Sequence, residues 1–105
     1  MTTAKSIEDR QRWVVDILSR SLSLSPQTIQ VFDEDADTVF LIHGANGNAL
    51  RMNGAVWAMP GLDKLGLEQW LWQRGAIRQL KEGYSVRFPP ASDLQPPRWK
   101  VHENG

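Results

Sequence analysis

The hydrophobic period of this chain changes twice, and that change constrains its fold more than any single residue does. Ile7, Val14, Ile17, Leu18 and Ser21 share one face at helical spacing, and Trp13, four residues before Ile17, widens the stripe. From Thr28 to Met59 the pattern becomes short β-branched and aromatic runs divided by acidic, glycine and asparagine residues. Helical spacing returns with Leu65, Leu67, Trp70, Leu71, Ile77 and Leu80. A helix, consecutive strands and a second helix, without repeated βαβ units, make an α+β domain.

In detail, Ser6 is placed to cap a first helix running from Ile7 to Arg20 or Ser21, and Leu22 to Pro26 forms an extended link. Thr28–Phe32 and Thr38–His43 read as antiparallel strands, with the acidic segment Asp33–Asp37 as their hairpin loop. Val39 to Ile42 is an unbroken apolar run, the pattern of a central strand covered on both faces or packed tightly beside its neighbours. The Gly44–Asn48 turn leads into Ala49–Met52, and Asn53-Gly54 predicts a type I′ hairpin into a strand at Ala55–Met59. Asp63 caps the second helix, Gly75 lies in its middle at a cost of about 1 kcal/mol relative to alanine, and Gly83 ends it. Tyr84–Phe88 is the last strand. The expected fold is an antiparallel three- to four-stranded β-meander with two helices on one face, in the order α-β-β-β-β-α-β. Residues 1–90 form the single compact domain and 91–105, with Pro96-Pro97, a flexible tail.

At 105 residues the chain has room for one hydrophobic core. It contains no cysteine, which removes disulfides, thiolate catalysis and Cys-ligated zinc. The first eleven residues lack the apolar stretch of a signal peptide and no later run approaches membrane-spanning length, so a soluble cytoplasmic protein with no membrane partner is expected. Twelve basic residues balance twelve acidic ones, which withholds the basic footprint of most nucleic-acid binders.

The motifs that suggest chemistry each fail at a decisive position. Phe40-Leu41-Ile42-His43-Gly44 and Gly83-Tyr84-Ser85-Val86-Arg87 superficially resemble α/β-hydrolase segments, but Arg87 stands where the second glycine of the nucleophile elbow belongs, and the chain is too short for that fold. Asp33, Asp35 and Asp37 mimic the start of a calcium loop, yet Thr38 and Gly44 occupy the places of its glycine and its bidentate glutamate. His43 and His102 are far apart in sequence and make no zinc set. Gly44 to Gly47 lacks the Gly-Lys-Ser/Thr of a phosphate loop. No enzyme, cofactor or metal is expected.

Five tryptophans remain to be explained: Trp13, Trp57, Trp70, Trp72 and Trp99. Trp13 and Trp70 fall on helical core stripes and Trp57 on a half-buried strand, whereas Trp72 and Trp99 have no such place. Tryptophan beside arginine is the composition of an interface hot spot. The expected function is therefore a small non-enzymatic protein-binding module, an accessory, regulatory or inhibitory subunit, that uses Trp57, Trp72, Arg74 and Trp99 against another protein or a second copy of itself. The alternative is a nucleic-acid-binding domain that sets Arg74, Arg78, Lys81 and Arg87 against phosphates.

Overall fold

The computed structural model describes residues 3–44 and 47–94. Helix α1 (Thr3–Leu22) starts before Ser6, so that serine is a residue of the helix and not its cap. Val14, Ile17 and Leu18 are fully buried, as their spacing predicts. The helix ends in a Schellman arrangement: Ser23 takes the left-handed conformation (φ 58°) and the Leu24 N–H donates to the Ser19 carbonyl at 2.8 Å.

A 3-10 turn (Pro26–Thr28) leads into the antiparallel pair β1 (Ile29–Glu34) and β2 (Asp37–Ile42). This hairpin is tighter than the expected five-residue acidic loop. Glu34 pairs with Asp37, leaving only Asp35 and Ala36 in the turn, where Asp35 adopts φ 58°. The other acidic side chains belong to strands. Strand β3 (Ala49–Asn53) pairs antiparallel with β2.

Beyond β3 the meander ends. Asn53 has φ −64° and its side-chain oxygen accepts the Ala55 N–H at 2.8 Å, so Asn53-Gly54 opens a 3-10 turn over Gly54–Ala58 instead of a type I′ hairpin. The expected strand Ala55–Met59 is absent for a packing reason. Val56 and Trp57 both enter the same core cluster, which consecutive residues of a strand, pointing to opposite faces, could not do. Helix α2 (Lys64–Gln73) is capped by Asp63, whose carboxylate accepts the Gly66 N–H at 2.8 Å. Gly75, at φ 78°, divides the predicted second helix into α2 and α3 (Ala76–Lys81).

After this helical crossover, β4 (Val86–Phe88) lies parallel to β3, and one further helical turn, α4 (Ala91–Leu94), follows. The sheet is therefore mixed, with strand order β1-β2-β3-β4, and the elements through β4 run α-β-β-β-α-α-β. The α+β class stands; the all-antiparallel meander is corrected. The helices pack on one sheet face, against Phe40, Ile42, Leu50, Met52 and Phe88. No described helix is long and apolar enough to cross a membrane.

Candidate functional site

Strand alternation divides the sheet into two unlike surfaces. Thr38, Phe40 and Ile42 of β2, Leu50 and Met52 of β3 and Phe88 of β4 point under the helices. The intervening residues face the other way: Phe32 on β1, Val39 and Leu41 on β2, Ala49 and Arg51 on β3, Arg87 on β4. Val39 is buried yet does not belong to the core cluster, because only its strand neighbours shelter it. No described helix covers this second face. A shallow hollow of about 370 Å³ lies there, bordered by Val39, Ala49, Arg51, Ser85, Val86 and Arg87.

The rim of this face is charged and internally paired. Arg51 holds Glu34 and, at 3.2 Å, Asp37. Arg87 stands 3.5 Å from the same Asp37 and is mostly exposed. These two carboxylates hold the Arg51 guanidinium above its usual pKa, Glu34 contributing first and Asp37 second. The acidic run that resembled a metal loop is thus largely consumed by ion pairs and by Thr38, which donates to Asp33 at 3.0 Å. Among the described residues, no group of three His, Asp or Glu side chains is placed to hold a metal ion. His43, just beyond β2, bonds Gln30 of edge strand β1 at 2.8 Å across the hairpin.

The residues singled out by sequence fall in different places. Trp57 is only 7% exposed, stacks edge-on against Phe40 with centroids 6.1 Å apart, and gives its N–H to Thr38 Oγ1 at 2.9 Å, so it offers a partner almost no surface. Trp70 packs edge-on against Phe88 and donates to Asp93 at 2.9 Å. Trp72 is 44% exposed on α2, with the Lys81 ammonium 5.8 Å from its ring centroid. Arg74 does not extend beside Trp72 as a free cation. It grips Asp93 through two hydrogen bonds of 2.8 Å, anchoring α4. Trp99 lies outside the described residues.

No family model, curated protein or solved structure matches this chain. Its own geometry is what bears on function. Of the four basic residues of the alternative reading, Arg74 and Arg78 border one hollow beside Gly75 and Lys81 shares α3 with Arg78, but Arg74 is paired with Asp93 and Arg87 projects from the open sheet face, so the four do not share one surface.

Sequence reasoning did not single out Val31, Phe32, Leu41 or Arg51. The signal for Leu41 was present in the unbroken run Val39–Ile42, the pattern of a strand covered on both faces or packed tightly beside its neighbours. The helices cover one face.

Proposed function

We propose that this chain is a small non-enzymatic protein-binding module whose contact surface is the open face of its sheet. One observation carries the reading: central strand β2 is apolar on both faces, while the described helices cover only the Phe40 side. Phe32, Leu41 and Ala49 offer apolar contact over the buried floor of Val39, and Arg87 supplies a polar rim. Trp72 is a second, separate apolar contact on the helical side.

Nucleic-acid binding has less support, because Arg74 and Arg51 already hold carboxylates and Arg87, on the open sheet face, lies apart from Arg78 and Lys81 on α3. The test is capture by the full chain and by Leu41→Glu, from lysate of the organism that makes it, at low and moderate salt. The expected result is a defined polypeptide that is retained at both salts and lost with Leu41→Glu, while circular dichroism shows the variant folded. Capture indifferent to Leu41→Glu, or capture of nucleic acid that disappears with salt, overturns the reading.

A further inference from the structure

We infer that strand β1 is a self-pairing edge, through which two copies of this chain join their sheets into one of eight strands about a two-fold axis at Val31. The inference goes beyond the protein-binding reading above: it names a second copy as a partner at the β1 edge of the sheet and stands or falls separately from contact across the open face.

The hydrogen-bond parity of the hairpin determines which backbone groups face outward. The His43 N–H donates to the Thr28 carbonyl at 2.8 Å, and these two residues continue the β1–β2 register. In an antiparallel pair, directly hydrogen-bonded residues alternate with non-bonded ones, so Gln30, Phe32 and Glu34 bond inward to β2. The N–H and C=O groups of Val31 and Asp33, and the carbonyl of Ile29, therefore point away from the sheet. The Ile29 N–H does not, since it bonds the Pro26 carbonyl. Among the described residues, no other strand pairs with this side of β1.

An edge of this kind is ordinarily blunted by lysine, proline or a bulge. β1 has none of these in Ile-Gln-Val-Phe-Asp-Glu; its two carboxylates are engaged within the chain, Asp33 by Thr38 and Glu34 by Arg51, and Val31 and Phe32 are each 38% exposed. A two-fold axis through Val31 sets it opposite the partner's Val31 in a directly bonded pair. It also directs each Asp33 N–H to the opposing Ile29 carbonyl, making four backbone hydrogen bonds in all. On the open face Phe32 then lies diagonal to the partner's Phe32, within the reach of aromatic side chains. Both exposed apolar residues of the edge thereby meet their own copies.

The flank of α1 is self-complementary about the same axis. A hollow of about 300 Å³ beside Val31 is lined by Glu8, Gln11, Arg12 and Val15. A two-fold axis normal to the sheet runs the two α1 helices antiparallel, so the carboxylate of Glu8 in one copy is directed toward the guanidinium of Arg12 in the other.

Sedimentation tests this on the full chain across micromolar to millimolar concentration. The expected mass is about twice that of the 11.9 kDa chain. It should halve with Val31→Pro, because the proline removes only an outward N–H and leaves the β1–β2 ladder intact. Val31→Lys should halve it as well, and covers the case in which the proline variant fails to fold. Gln30→Pro, which deletes an inward bond, should instead lower the melting temperature. A monomer at every concentration overturns the inference, and so does a dimer whose mass is unchanged by Val31→Lys. A monomer that still captures a polypeptide through Leu41 removes this edge pairing and leaves the binding module standing; a β1 dimer with no Leu41-dependent capture does the reverse.

Discussion

Trp57 donates its indole N–H to the hydroxyl of Thr38 at 2.9 Å, inside a site where both residues are buried. The same hydroxyl donates to Asp33 and receives a longer bond of 3.4 Å from Gln11 on α1. One β-branched hydroxyl thus joins the hairpin, the 3-10 turn and the first helix. Thr38→Val keeps the shape and leaves the indole donor unpaired, which should cost about 1–3 kcal/mol of unfolding free energy in urea titration. Adding Trp57→Phe to Thr38→Val should cost less than the sum of the two single changes, because the second removes the orphaned donor. Additive losses would show the bond contributes nothing.

Gly75 reverses the sign of an expectation. In a continuous helix Gly75→Ala would stabilise by about 1 kcal/mol. At φ 78° between α2 and α3 it should instead destabilise by about 1–2 kcal/mol, since alanine carries a Cβ penalty in the left-handed region. A Cβ there would meet no neighbouring atom, so the loss comes from the backbone alone. Chemical denaturation gives the sign directly.

Ser23 is the converse case. It holds the left-handed position that closes the Schellman motif of α1, is exposed, and makes no side-chain hydrogen bond among the described residues. Ser23→Gly should raise stability by up to about 1 kcal/mol, with the melting temperature as readout.

These positions also show where sequence stopped being informative. The α1 stripe was legible because Val14, Ile17 and Leu18 repeat with the helical period and each is fully buried. Asp63 as a cap and the pairing of β1 with β2 were legible for equally local reasons. Asn53-Gly54 misled because the same dipeptide that favours a type I′ turn can also cap a 3-10 turn, and the choice was made by the common core that takes Val56 and Trp57. The parallel placement of β4 depends on where the α2–α3 crossover delivers the chain, which no local pattern encodes. For the site, Trp72 had no place on a core stripe in the sequence, and it is exposed on α2. The open sheet face was not read as a surface, since the exposure of Phe32 and the half-burial of Leu41 follow from the helices packing on one side only.

The Asp93 carboxylate links α4 to α2, and acid should release it. Hydrogen bonds from Arg74 first and Trp70 second hold it below the ordinary value of 3.8. A depressed carboxylate pKa contributes stability that is complete above 3.8 and is lost as pH falls through the lower folded value. The melting-temperature difference between the native chain and Asp93→Asn should therefore persist from neutral pH down to that range and shrink below it. A difference that instead grows in acid would contradict the assignment.

Most direct for the binding-module account is a photo-crosslinking residue placed at Leu41, with one at exposed Gln69 on α2 as the comparison, in cells that make the protein. The account predicts a discrete protein adduct from position 41 that is absent from position 69 and insensitive to nuclease. Adducts only to nucleic acid, equal labelling from both positions, or a crosslink solely to the chain's own residues 95–105 would contradict it.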